Sequence, residues 1–302
     1  MEERSLQFEV FEKRMVEKKV SLVLSSGGAR GLAHIAVIDE LEKRGYEIAS
    51  IAGTSMGAFV GGIYASGNLN IFKEWMYSLK TIEIVKLFDI TLSNNGLLKG
   101  ERLFHELGKL FPDSLIENLP IPFAAVSTDI LNNREVIHQS GSLFHAIRAS
   151  ISIPTFFQPF KTGNTYLVDG GLLNPTPVNR VKRFENDRLV VVNVETQHVD
   201  DEIEKMFYSK KAEGKSTTVS PLKFIGMPGY FDLINKTIGL MLSQLADLTI
   251  EKYTPDLLIN MNRNFFGTYD FHKYSEIIEF GNQIAVKKID EYEGVAQNGD
   301  YC

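Results

Sequence analysis

Apolar residues in this chain come in short runs that end in glycine, serine or aspartate. Val20 to Ser25 (VSLVLS) is brief, rich in β-branched residues and followed by glycines, which predicts a buried strand. From Leu32 to Arg44, Ile35, Ile38 and Leu41 recur with charges between them, the spacing of an amphipathic helix that Gly45 closes. A second strand at Ile48–Ala52 and a helix from Ser55 to about Gly67 repeat the unit. Further apolar runs at Ile121–Val126, Glu135–His138, Thr165–Val168, Leu189–Val194 and Asp256–Ile259 add strands far along the chain. Strand, glycine turn, helix, strand, serine turn, helix is the order of an α/β fold, here a three-layer α/β/α domain with a mainly parallel sheet. Residues 70–118 read as a helical insertion broken at Ser93-Asn94-Asn95-Gly96. Because the sheet draws strands from so much of the chain, residues 20–293 are expected to form one domain. A charged extension (1–19) precedes it and a disordered tail (294–302) follows. Lys210 to Gly229, dense in Gly, Ser, Thr and Pro, reads as a loop, and Asp232 to Ile250 as a core-packing helix.

From Ile48 to Asn68 no residue is charged, and the length approaches the roughly 20 residues that cross a bilayer. Five glycines interrupt it, so a buried strand running into a buried helix is the better reading. Of the 302 residues 44% are hydrophobic and 23% charged, ordinary for a chain with a sizeable core. The net charge of -6 argues against a general nucleic-acid binder. The single cysteine, Cys302, excludes an intrachain disulfide, and the N-terminal residues lack the apolar stretch of a signal peptide. A reducing, cytoplasmic setting is therefore expected.

Three turns carry candidate chemistry. Gly53-Thr54-Ser55-Met56-Gly57 is a G-x-S-x-G between an apolar strand and an apolar helix, the turn that thrusts a serine hydroxyl out of the backbone. Gly27-Gly28-Ala29-Arg30-Gly31 is a glycine-rich turn before a helix, able to aim bare N–H groups at an oxyanion. Asp169-Gly170-Gly171 places a carboxylate at a strand end, where a base would sit. A dinucleotide pyrophosphate is the alternative ligand of the first turn. Ser26 stands where that fingerprint needs glycine, and the second strand ends in Gly53 and Ser55 with no ribose-binding acid. Arg30 either holds a substrate phosphate or pairs with a surface carboxylate.

SSGGARGLAHIAVIDELEKRG, GTSMGA and YLVDGGLLNPTPV resemble the three blocks of bacterial patatin-like phospholipases, and the segment from Ala146 to Pro159 resembles the helix and proline turn before their aspartate strand. The likeness extends over roughly residues 20 to 290. It implies a Ser–Asp dyad, with Ser55 as nucleophile, Asp169 as general base, and N–H groups around Gly27, Gly28 and Ala29 as the oxyanion hole. Arg30 and Met56 are the expected substrate contacts. Ser26 departs from the family, which often has a third glycine there.

Six histidines are rival bases. His34 follows the glycine turn, His138 and His145 lie near the proline turn, and His198 and His272 follow Asp169 in the chain order of α/β-hydrolases. No histidine sits in a comparable motif, and no metal-binding motif is present, so neither a metal nor a cofactor is expected. The expected activity is hydrolysis of lipid esters, as a phospholipase A or lysophospholipase, through an acyl-enzyme and with transient contact to a membrane surface. Phe156, Phe157, Phe224, Met227 and Phe231 are candidates to line the access mouth. A soluble ester or thioester substrate, or an idle scaffold that keeps the fold, are the alternatives.

Overall fold

A computed structural model describes residues 18–87, 100–197 apart from Thr155, 202, 205 and 230–299. The predicted α/β architecture is present. Eight described strands form one mixed sheet: β1 (Lys19–Leu24), β2 (Glu47–Thr54), β3 (Phe123–Asp129), β4 (Arg134–His138), β5 (Phe160–Thr162), β6 (Thr165–Asp169), β7 (Arg188–Thr196) and β8 (Leu257–Asn262). Their order is β5-β6-β3-β2-β1-β7-β8, with β4 also paired to β3. The β3-β2-β1-β7-β8 core is parallel, and β4, β5 and β6 join antiparallel at one side.

The near-continuous apolar runs of β1 and β7 follow from this topology, because strands covered on both faces have no solvent side to mark with polar residues. Helices supply the cover: α1 (Ala33–Lys43), α2 (Met56–Ala65), α3 (Leu69–Ser78), α4 (Thr81–Leu87), α5 (Glu101–Leu110), α6 (Leu143–Ser150), α7 (Tyr230–Tyr253) and α8 (Tyr274–Gly299). Ile35, Ile38 and Leu41 of α1 are all fully buried, as their spacing predicts, and α1 packs against α8. Helices α3 to α5 form the insertion between the serine turn and β3, anchored by an edge-on contact of Phe59 with Phe72 at 5.3 Å. Such a pair adds about 1 kcal/mol to the burial of both rings.

The uncharged stretch 48–68 is β2 running into α2, and no described helix is long and apolar enough to cross a membrane. The sequence does not predict β5, since its three residues, with the Lys161 and Thr162 side chains in solvent, carry no apolar pattern. Helix α8 continues to Gly299, past the Gly294 where tail disorder is expected. Residues 1–17, the 93–96 break and the 210–229 loop lie outside the described residues.

Candidate active site

The parallel strands β1 and β2 end at one edge of the sheet, where the glycine and serine turns leave; β6 runs antiparallel to β3 and brings Asp169 level with Ser127. β2 delivers Ser55, whose φ of 55° and ψ of -122° place a non-glycine residue in the left-handed half of backbone space. Such a conformation costs about 1–3 kcal/mol and persists only where its surroundings hold it. Two features hold it. Gly53 and Gly57 leave room for the turn: a Cβ on Gly53 would meet the backbone of Gly57, and one on Gly57 the Leu24 carbonyl. The Ser55 N–H also donates to Ser150 Oγ at 2.9 Å, and that hydroxyl donates onward to the Val126 carbonyl at 2.6 Å. Ser150, fully buried at the end of α6, was not singled out from sequence. Its only sequence signal is its place in the segment before the proline turn.

β6 delivers Asp169, paired in register with Ser127 of β3. One carboxylate oxygen, Oδ1, accepts from the Gly171 N–H at 2.8 Å, while Oδ2 is buried with no hydrogen bond of standard geometry. Burial pushes this carboxyl up to about 7; the Ser55 hydroxyl and the Gly171 N–H pull against that, and the charge of Glu195 pushes further. A carboxylate so raised is a far better proton acceptor near neutral pH than one in water. Ser55 and Asp169 line one cavity together with Ser26, Gly27, Gly28 and Arg30.

The glycine turn follows β1 as a short 3-10 helix, Gly28–Leu32. Gly28 has φ 54°, and a Cβ there would run into the Thr268 carbonyl. Among the described residues the N–H groups of Gly27 and Gly28 donate to no carbonyl, whereas that of Ala29 donates to the Thr268 carbonyl at 2.8 Å. Ala29 N–H is thus occupied, which narrows the three expected donors to two. Arg30 is 6% exposed and meets a buried carboxylate, Glu195, at 3.0 Å, not a surface one. Met56 does not line the cavity; it is buried with its side chain against Gly31, because the first residue of α2 points beneath the turn.

No described histidine lines this cavity. His34 is fully buried with Nε2 on the Ser25 carbonyl at 2.9 Å, and burial lowers its pKa to about 4, that carbonyl opposing. It steadies the strand before the glycine turn. His138 is bonded to Ser127 Oγ at 2.8 Å and is lowered to about 4 by burial. His105 and His145 line a separate cavity, His272 sits in the 3-10 turn before α8, and His198 lies outside the described residues. Alanine at His138, His145 or His272 is expected to keep ester turnover within about tenfold of wild type. A folded single-histidine variant reduced by several orders of magnitude would put a triad in place of a dyad.

Of the aromatic residues expected at the mouth, Phe157 is buried against Phe156, and Phe156 stacks on Tyr269 at 4.6 Å. Tyr269 itself lines the cavity. Phe224, Met227 and the side chain of Phe231 lie outside the described residues.

A second serine–carboxylate contact, Ser21 with Asp187, lies at the opposite end of the parallel strands. Ser21 is a fully buried mid-strand residue that also bonds Ser50 and the Lys182 carbonyl. Burial works to raise the Asp187 pKa, but bonds from Arg183, Ser21 and the Phe184 N–H outweigh it and hold the carboxyl below its ordinary value. A fully committed, acidic carboxylate beside an inaccessible hydroxyl ties strands together and does not suit proton abstraction.

A strained serine and a buried carboxylate thus share one cavity beside the glycine turn, near the C-terminal ends of the parallel strands. Residues 22–181 match the family described as patatin-like phospholipase, and the chain belongs to that family. An uncharacterised NTE-family protein of Mycobacterium tuberculosis (strain H37Rv) is 32% identical over 332 residues, covering 91% of this chain and 92% of the relative. Lysophospholipase NTE1 of Debaryomyces hansenii is 31% identical over 286 residues, covering 91% of this chain but 18% of the yeast protein. The crystal structure of VipD from Legionella pneumophila overlays with a TM-score of 0.47 at 14% identity, covering 91% of this chain and 67% of VipD.

Proposed function

We propose that this chain is a serine acyl hydrolase of lipid esters, a lysophospholipase or phospholipase A, working through Ser55 and Asp169. The observation that carries the reading is the buried Asp169 carboxylate, with Oδ2 unpaired, sharing one cavity with a strained Ser55. Asp169 takes the Ser55 proton as the hydroxyl attacks the ester carbonyl, then returns it to the leaving alcohol oxygen as the tetrahedral intermediate collapses to an acyl-enzyme. Water, deprotonated by the same carboxylate, then attacks the acyl carbonyl; the proton passes to Ser55 Oγ as the fatty acid leaves, which restores the free enzyme. The N–H groups of Gly27 and Gly28 receive the oxyanion in both halves. Apolar Ile153, Leu172, Ile238 and Leu242 on the cavity wall suit an acyl chain. The name of the yeast relative favours a single-chain phospholipid, and a lipid substrate brings the mouth to a bilayer or micelle surface.

A fluorophosphonate probe together with hydrolysis of a lysophospholipid tests the reading. Labelling confined to Ser55 and release of fatty acid support it; a folded protein that neither labels nor hydrolyses would be the idle scaffold. Gly28→Val is expected to cut kcat by about 10²–10³, the loss of one oxyanion donor, with a smaller change in KM. Thermal melting checks that the variant folds, since the added side chain also presses on Thr268. Unchanged kcat would remove Gly28 from the oxyanion hole.

A further inference from the structure

Beyond the dyad, the cavity wall holds three charged side chains: Arg30 of the glycine turn and Glu195, both buried, and the partly buried Arg263, which lies in no motif. Glu195 ends β7 and is 2% exposed. Arg30 reaches one of its oxygens at 3.0 Å from the glycine turn, and Arg263, the residue after β8, reaches the other at 3.4 Å. All three side chains line the same cavity as Ser55. Two guanidiniums facing one carboxylate leave the trio with a net positive charge, and the burial of Arg30 and Glu195 weakens its screening. Donor capacity is left over at Arg30: its Nη1 donates to the Phe266 carbonyl and to Thr268 Oγ1, both at 3.3 Å, while its Nε is buried without a partner.

We propose that Arg263, set beside Arg30 by the shared Glu195, binds an anionic phosphate group of the substrate and so selects phosphate-bearing esters over neutral ones. The inference rests on the acyl-hydrolase reading above and adds a specificity determinant to it. Arginine suits the task because its planar fork matches two phosphate oxygens at once. Glu195 keeps both guanidiniums from repelling each other out of the cavity and aligns them on one point. Arg263 and Glu195 both lie beyond residues 22–181, so this element belongs to the part of the chain outside the family match. Arg263 also donates to the Gly239 carbonyl of α7, and a purely structural role as a tie between α7 and β8 is the competing outcome.

Two soluble substrates separate these outcomes: 1-hexanoyl-glycerophosphocholine and 1-hexanoylglycerol share an acyl chain, and only the first has a phosphate. In Arg263→Met the ratio of kcat/KM for the first over the second is expected to fall about 10- to 100-fold, the range for losing a charged hydrogen bond. Arg263→Lys, which keeps the charge but loses the two-pronged fork, is expected to fall between Arg263→Met and wild type. A ratio unchanged within about threefold overturns the proposal, whether both activities fall together or neither does. A second measurement does not need an Arg263 variant to fold. Ser55→Ala protein should bind hexanoyl-glycerophosphocholine at least about tenfold more tightly than hexanoylglycerol in calorimetry. Equal affinities, or binding of inorganic phosphate with no preference between the two esters, also overturn it. Full turnover by Ser55→Ala would instead defeat the dyad reading, and the binding comparison would still judge Arg263.

Discussion

Ser55→Ala is expected to lower ester turnover by at least about 10⁴-fold while leaving the fold and the melting temperature close to wild type. Losing the nucleophile of a serine hydrolase removes the covalent route altogether, and what remains comes from binding and the oxyanion donors alone. Structure survives because the hydroxyl is not part of the hydrogen bonds that hold the turn. The Ser55 N–H bond to Ser150 Oγ is a backbone bond that alanine keeps, and Gly53 and Gly57 still leave the space. Alanine at φ 55° bears about the same strain as serine, so the stability change should stay below about 1 kcal/mol. Turnover of a lysophospholipid, fluorophosphonate labelling and a melting curve make the check. Retained turnover in pure Ser55→Ala protein would end the assignment of the nucleophile.

Asp169→Asn is expected to abolish acylation to a similar degree and, unlike Ser55→Ala, to change the pH dependence of stability. An amide cannot accept the serine proton. In the wild type, kcat/KM should fall on the acid side with a pKa near 7, because only the ionised carboxylate is a base. Stability moves the other way. The native carboxyl is raised to about 7 from an ordinary 3.8, so between those values the folded state holds a proton that the unfolded state has lost. Wild-type stability therefore declines as pH rises through that window and stays reduced above it. Asparagine has no charge to desolvate, so the variant should gain roughly 2–4 kcal/mol over wild type at pH 8, and little at pH 4. Denaturant melts at the two pH values measure the difference. An equal effect at both would mean that burial does not raise Asp169.

The local pattern determined most of the scaffold. Short apolar runs that end in glycine can be buried as parallel strands, and Ile35, Ile38 and Leu41 could face only a core, so β1, α1, β2 and α2 were legible one by one. The serine turn was legible too, because Gly53 and Gly57 at that spacing leave space few other turns require. Tertiary structure alone decided which groups remained available for chemistry. Ala29 looked like an oxyanion donor until the Thr268 carbonyl, more than two hundred residues away, was found to take its N–H. Met56 looked like a substrate contact, and its side chain instead fills the space under Gly31. Arg30 had a charge visible in sequence, but its buried partner Glu195 comes from β7 and its neighbour Arg263 from just after β8, strands that fold beside it from the far end of the chain. Periodicity and turn chemistry are properties of neighbouring residues and are written into the local sequence. Hydrogen-bond occupancy and the sum of charges in a cavity depend on which distant segments meet, and no local pattern encodes them.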